Sequence, residues 1–269
     1  MPRYRLVIEY HGGPFIGWQS QPCGGGVQNA ISEALEKFTG EKVIAFGAGR
    51  TDAGVHALGQ VAHIDLAKDM EPFAIMSAFN HHIKPHPITI RDIERVSDNF
   101  DARFSATRRY YRYRIINRRS PLTIDHGLAW QVVPELDADA MHEAAQCLVG
   151  HHDFTTFRSV QCQSKSPVKT LDAIAVARYG NELEVTCHAK SFLHNQVRSF
   201  VGSLKLVGVG KWKTADLKAA LEAKSRPACG PVAPSDGLYL SQVDYLPADE
   251  IERVAEKLRA TKAAKLADQ

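Results

Sequence analysis

The chain has 269 residues, 44% of them hydrophobic and 23% charged, with a formal net charge of +3. These are globular proportions for one large domain or two ordinary ones, with enough chain to bury a substantial core. No apolar run is long enough to span a bilayer, and Met1-Pro2-Arg3-Tyr4 enters a strand at once, so neither a membrane anchor nor a signal peptide is expected.

In chain order, Tyr4 to Tyr10 reads as a strand, followed by the glycine-rich loop His11 to Gln19. A second glycine cluster, Gly24-Gly25-Gly26, precedes a helix with Val27, Ala30, Ile31, Ala34, Leu35 and Phe38 on one stripe. Strand-like runs at Val43–Phe46 and Gln60–Leu66 flank a polar turn. Pro72 to His81 reads as a helix, broken by Pro85-His86-Pro87, and Ile88 to Val96 as extended. The second half starts with a strand, Tyr110 to Ile116, beside a neighbour at Leu128–Val133. Asp137 or Asp139 caps a helix that carries Met141, Ala144, Ala145, Leu148 and Val149 on one face. Ala173–Ala177 and Leu183–Ala189 form a strand pair, a helix runs from about Phe192 to Val207, and Leu238, Leu240 and Val243 alternate in a last strand. The pattern predicts an α+β fold of two halves, each a mostly antiparallel sheet with helices on one face and a cleft between the halves. The halves are expected at 1–104 and 105–246, followed by a charged surface tail at 247–269 with Ile251, Val254, Ala255 and Leu258 at helical spacing.

Cys23, Cys147, Cys162, Cys187 and Cys229 are odd in number and scattered, the pattern of reduced cytosolic thiols. His81-His82 with His86, and His151-His152-Asp153, lack the spacing of known metal motifs, so no metal site is expected. From Ala102 to Ile124 there is no acidic residue, while Arg103, Arg108, Arg109, Arg112, Arg114, Arg118 and Arg119 interleave with Phe104, Tyr110, Tyr111 and Tyr113. Such a basic and aromatic stripe suits a polyanion. The candidate RNA contacts are Arg103, Arg108, Arg109, Arg119, Arg158, Lys165 and Lys169, with the polar loop Gln161 to Lys165.

Three segments carry chemistry. Gly49-Arg50-Thr51-Asp52-Ala53-Gly54-Val55-His56-Ala57 sets a carboxylate on a tight turn, next to an arginine that favours its ionised form. That suits a nucleophile, although the same residues also suit a plain turn in which Asp52 bonds its own backbone. In Arg109-Tyr110-Tyr111-Arg112-Tyr113-Arg114 the strand alternation puts Tyr111 and Tyr113 on one face and Arg112 and Arg114 on the other. A base stacked on Tyr111 would gain ~1–3 kcal/mol. In Ser191 to Gly202, Arg198 flanks an apolar helical stripe, where an arginine needs a carboxylate partner; Asp52 is the candidate. His56 is read as a packing residue. A small-molecule glycosidase remains a rival, but no second carboxylate stands near Asp52; a non-catalytic RNA-binding module is the other rival.

These three segments resemble the tRNA pseudouridine synthase A family. Further matches are Phe15-Ile16-Gly17-Trp18-Gln19, Phe100-Asp101-Ala102-Arg103-Phe104-Ser105-Ala106, Asp153 to Arg158, and Ala233-Pro234 with Gly237-Leu238-Tyr239-Leu240, in the family's order and reaching to about Tyr245. The resemblance implies an enzyme that isomerises uridine to pseudouridine on the 3′ side of the tRNA anticodon stem-loop, as a cytoplasmic homodimer without a cofactor. It implies Asp52 as nucleophile, Arg50 as a tRNA contact that helps displace the target base, Tyr111 stacked on the uracil, and Arg198 paired with the aspartate. It also implies substrate contacts at Phe100, Asp101, Ala102, Arg103, Phe104 and Arg119, and along Gln161, Cys162, Gln163, Ser164 and Lys165. Whether the carboxylate attacks C1′ of the ribose or C6 of the ring stays open, and the Tyr111 hydroxyl is a candidate relay for the C5 proton.

Overall fold

The structure is a computed structural model that describes residues 1–22 and 24–256; Cys23 and the end of the tail, Leu258 included, lie outside the described residues. The first half runs β1 (Arg3–Tyr10), α1 (Val27–Thr39), β2 (Phe46–Gly47), β3 (His56–Asp65), α2 (Pro72–His82) and β4 (Ile88–Val96). The second runs β5 (Ala106–Ile116), β6 (Trp130–Gln131), α3 (Ala138–Ala145), β7 (Gly150–Asp153), β8 (Val168–Tyr179), β9 (Glu182–Ala189), α4 (Gln196–Gly208), α5 (Thr214–Glu222) and β10 (Leu238–Tyr245). Residues 248–256 of the tail are helical.

Alternation builds the first half. On β1, Tyr4, Leu6, Ile8 and Tyr10 are buried and pack with Val27, Ala30, Ile31, Ala34 and Leu35 of α1, the stripe expected from the sequence. Gly40 ends that helix in the left-handed conformation (φ 73°), its N–H bonded to the Glu36 carbonyl. The opposite face of the sheet carries ion pairs such as Arg3–Asp65 (2.7 Å) and Arg5–Glu94 (2.8 Å). The second half repeats the scheme. Leu183, Val185, Cys187 and Ala189 of β9 face α4, while Glu182 and Glu184 face outward. Asp137 caps α3 by accepting from the Ala140 N–H at 2.9 Å.

The two half-sheets are one sheet, in the order β4-β1-β3-β10-β5-β9-β8-β7. The joint is β10, the last of the described strands in sequence. It lies antiparallel to β5 along most of its length and parallel to β3 through Tyr239 opposite His56 and Leu240 opposite Ala57. Two similar halves thus share a sheet whose central strand comes from the end of the second.

Several elements differ from the sequence reading: β7 has no counterpart in it, β6 is shorter and β3 starts earlier, and three further differences bear on the site or its neighbours. The first run, Val43–Phe46, is a strand only at Phe46–Gly47, because the Ala45 carbonyl is taken by the Gln28 side-chain amide (2.8 Å) rather than by a strand. The helix expected from Phe192 begins at Gln196; Asn195 is left-handed (φ 64°) and the Gln196 side chain holds the Leu193 N–H at 2.8 Å. Helix α5 has no counterpart in the sequence reading; the Asp216 carboxylate caps it by accepting from the Lys213 N–H.

Candidate active site

The turn that carries Asp52 hangs between β2 and β3, and its main chain is held from several sides. The Val55 N–H reaches back to the Asp52 carbonyl (3.1 Å), and Gly54 takes φ +78°, a conformation that favours glycine. The Phe15–Trp18 loop grips it twice, through Trp18 N–H to the Thr51 carbonyl (3.0 Å) and Gly54 N–H to the Phe15 carbonyl (3.2 Å). Beneath, the Tyr10 and Thr51 hydroxyls share a buried hydrogen bond of 2.7 Å, and the Gln60 amide donates to the Gly49 carbonyl (2.8 Å). Val55 packs in the second core and Ala57 in the first, so the chain crosses from one core to the other directly behind Asp52.

The carboxylate stands at the seam between the halves, its side chain 23% exposed. Arg198 of α4 places Nη1 3.6 Å from Oδ2, and His194 places Nε2 3.3 Å from Oδ1. Arg198 is itself fixed: Nε donates to the Ala233 carbonyl (2.8 Å) and Nη1 to Oδ1 of Asn195 (3.0 Å). The structure therefore brings the expected Arg198 to Asp52 and adds His194, which the sequence reading does not include. A signal for it is present, since His194 lies in the same Phe192–Arg198 segment as the arginine. What hides it is the expectation of continuous helix, which would turn it away from its loop position.

Tyr111, on β5, meets Phe192 edge-on with ring centroids 5.1 Å apart and stays partly exposed. No described residue hydrogen-bonds its hydroxyl by ordinary criteria, and burial together with the Asp52 charge raises its pKa above the usual tyrosine value. A phenol so placed keeps its proton at neutral pH, as an ordinary tyrosine does, so a part for Tyr111 in removing the C5 proton would be that of a relay. Arg50 is exposed and donates from Nη1 to Oε1 of Gln163 (2.9 Å), so the 161–165 loop of the second half comes over the turn of the first. Gln161, Gln163 and Lys165 are exposed, while Cys162 packs partly against the second core and Ser164 bonds the Ser166 carbonyl.

The other expected contacts divide. Arg103 and Phe104 project from the 101–105 loop, Phe104 80% exposed with the Arg103 guanidinium over its ring. Phe100 and Ala102 are buried and support that loop from below; the Ala102 N–H donates to Nδ1 of His63 (3.1 Å). Asp101 accepts from the Arg103 and Phe104 N–H groups, both at 2.8 Å, and so shapes the loop. Arg119 is exposed.

The basic stripe is largely corrected by the structure. Arg112 pairs with Glu184 and Glu182, Arg114 with Glu182 (2.6 Å) and Asp125 (3.1 Å), and Arg108 with Asp172 (3.2 Å). These acids stand on neighbouring strands or loops, so a window without acidic residues in sequence is not an uncompensated surface in space. Arg109 is buried and bonded to main-chain carbonyls. His56 is buried as expected, between His11 and Tyr239, with Nδ1 accepting from the Gly12 N–H (3.0 Å). The four described cysteines are free, no described helix is long and apolar enough to cross a membrane, and no described group of three or more His, Cys, Asp or Glu is arranged to hold a metal.

A family model described as tRNA pseudouridine synthase matches residues 6–105 and 144–246, one segment in each half, with Asp52 in the first and Arg198 in the second. The chain is 62% identical over 245 residues to a tRNA pseudouridine synthase A of Parvibaculum lavamentivorans, covering 91% of this chain and all of that protein. It is 61% identical to that of Maricaulis maris, covering 91% of this chain and 98% of the relative, and 58% identical to that of Rhodopseudomonas palustris, covering 91% and 100%. A shared sheet of two similar halves and a match in each of them, with relatives aligned almost end to end, place this chain in the tRNA pseudouridine synthase family, the isomerases that convert uridine to pseudouridine.

Proposed function

We propose that the protein isomerises uridine in the anticodon stem-loop of tRNA, with Asp52 as nucleophile acting on a base flipped out of its stack. One observation carries this reading: a carboxylate on an immobilised turn, with Arg198 beside one oxygen and His194 beside the other. Two hydrogen-bonding partners fix the direction of the carboxylate while partial burial strips some of its water, which suits a nucleophile. Isomerisation breaks the N1–C1′ bond, turns the uracil and joins C5 to C1′, after which C5 loses its proton and the freed N1 takes one up. Leaving the stack costs a few kcal/mol. Arg50, exposed beside the turn, is suited to fill the vacated space, and the partly exposed Tyr111 ring to receive the base.

Arg103, Phe104, Arg119 and Lys165 are exposed on loops, and serve as the tRNA contacts in this reading. Phosphate and shape contacts dominate recognition of a folded RNA. The resemblance to the family also supports a cytoplasmic homodimer, which sedimentation at working concentration checks.

The test is tritium release from tRNA labelled at C5 of uracil, with wild type and Asp52→Asn compared at equal tRNA occupancy. Release by wild type and none by the variant is expected. A variant that still releases tritium removes Asp52 from the mechanism. Replacing the anticodon stem-loop uridines by cytidine is expected to abolish release; persistent release puts the target elsewhere.

A further inference from the structure

We propose that Arg109 is a positioning residue, whose guanidinium holds the Asp52 turn, the 101–105 loop and the segment leading to His194 in fixed relation to one another. The proposal rests on the reading of Asp52 as the nucleophile.

Arg109 is 8% exposed, and no carboxylate pairs with it among the described residues. A buried arginine ordinarily needs such a partner, and burial here lowers its pKa. The guanidinium has five N–H groups in a rigid plane, and main-chain carbonyls take all of them. Nε (3.3 Å) and Nη2 (2.7 Å) both donate to the Ala48 carbonyl, and Nη2 also donates to that of Arg103 (2.6 Å). Nη1 donates to the carbonyls of Lys190 (2.6 Å) and Ala106 (3.5 Å).

The placement of these acceptors is decisive. Ala48 opens the loop that carries Arg50 and Asp52, and Arg103 belongs to the exposed loop with Phe104. Lys190 follows β9 and stands just before Phe192, which meets Tyr111, and His194, which meets Asp52. Arg109 sits two residues before Tyr111 on β5, on the same face of the strand. One planar group thus fixes the nucleophile's loop, its histidine's loop and an RNA-facing loop against the strand that bears the stacking tyrosine. Lysine offers a point charge on a flexible stem and cannot span these four acceptors in this geometry. With no N–H left over, Arg109 is also unavailable to a phosphate.

A role in spacing and a role in general stability predict different readouts. For Arg109→Lys we expect kcat in the tritium assay to fall about 100-fold, the scale of an ångström-sized misplacement of a reacting group. KM and the tRNA dissociation constant are expected to rise far less, within about tenfold, since loosening the 101–105 loop displaces Arg103 and Phe104 but removes no exposed cation. In Arg109→Ala, methylguanidinium is expected to restore part of kcat and methylammonium none, because only the former reproduces the planar fork. Turnover of Arg109→Lys equal to wild type overturns the proposal. So does a kcat loss matched by an equal loss of tRNA affinity, or failure of both variants to fold with methylguanidinium present, since either makes Arg109 a residue of general stability. Asp52→Asn in the same assay separates the two readings: its full activity removes the nucleophile assignment, whereas its silence beside a normal Arg109→Lys removes only this inference.

Discussion

His194 and Asp52, brought from opposite halves of the chain, stand with Nε2 and Oδ1 3.3 Å apart, leaving Oδ2 to Arg198 at 3.6 Å. Each carboxylate oxygen therefore has its own partner, and the partners differ in how firmly they are held. Arg198 is anchored by the Ala233 carbonyl and by Asn195, whereas His194 sits in a loop. Arg198→Lys is expected to lose kcat by about 100-fold, because an ammonium cannot satisfy Ala233, Asn195 and Asp52 at once. His194→Gln is expected to lose about tenfold, the value of a polar contact to a charged group of roughly 1.5 kcal/mol. Tritium release at saturating tRNA measures both; a larger loss in His194→Gln than in Arg198→Lys would reverse this ranking.

Charge compensation predicts which arginines matter for tRNA. Arg112 and Arg114 are engaged by Glu182, Glu184 and Asp125, and that pairing holds the Arg114 pKa above and the Glu182 pKa below their ordinary values. Their alanine variants are expected to lower thermal stability and leave tRNA affinity nearly unchanged. Alanine at Arg103, Arg119 or Lys165 is expected to weaken binding and reduce the salt slope by about one for each phosphate that is no longer neutralised. Filter binding across a salt titration decides; equal slopes for Arg103→Ala and Arg112→Ala would refute the division.

Two buried histidines make stability depend on pH. Burial lowers the pKa of His56, helped by His11, and that of His63, helped by Arg3. In each, Nδ1 accepts a backbone N–H, from Gly12 or Ala102, so protonation there breaks a bond. The unfolded chain binds these protons near pH ~6.5, the folded chain only at lower pH. Their contribution is thus complete above that value and lost as pH falls towards the folded pKa values. Melting temperature is expected to drop as pH is lowered from about 7 to 5, and less steeply in His63→Gln, which keeps an acceptor but cannot titrate. Parallel curves would show that His63 is not a source of the dependence. Asp65, held low by its hydrogen bond from Arg3, acts in a separate, more acid range.

Close approach of α4 to the 231–233 segment requires Gly202. A Cβ there would lie 1.7 Å from the Pro231 carbonyl oxygen, a main-chain atom that cannot swing away. The segment is tied to Arg198 both ways, by Arg198 Nε to the Ala233 carbonyl and by Ala233 N–H to the Arg198 carbonyl (3.0 Å). Gly202→Ala is expected to cost about 3 kcal/mol of stability and to reduce kcat in the folded fraction. Gly49→Ala, whose Cβ would meet nothing within 4 Å, is the neutral control in the same melts. Equal melting temperatures for the two variants would remove the steric argument.

What the sequence makes legible follows from the range of the interactions involved. The stripe of α1 and the extent of β4 rest on local periodicity, and both appear as read. Asp52 is legible because glycine and polar residues crowd one turn, and Arg198 because an arginine beside an apolar stripe lacks a local partner. His194 is not, because its position depends on the left-handed Asn195, which delays the start of the helix to Gln196. Nor is the neutralisation of Arg112 and Arg114, which requires the register of β5 against β9, Arg112 opposite Thr186 and Arg114 opposite Glu184. Arg109 looks like one more surface cation because its acceptors are carbonyls, which every residue has and no side-chain pattern announces.

The position of β10 also bears on how the chain reaches its folded state. Until Leu238–Tyr245 is in place, β3 and β5 each present an unpaired edge, with open N–H and C=O groups that invite pairing with another chain. During synthesis both edges wait for a strand made after every other described one, and the sheet closes only through contacts between distant parts of the sequence, a slow kind of step. Premature termination just before Leu238 would therefore release two halves with their facing strand edges unjoined, whose principal hazard is aggregation.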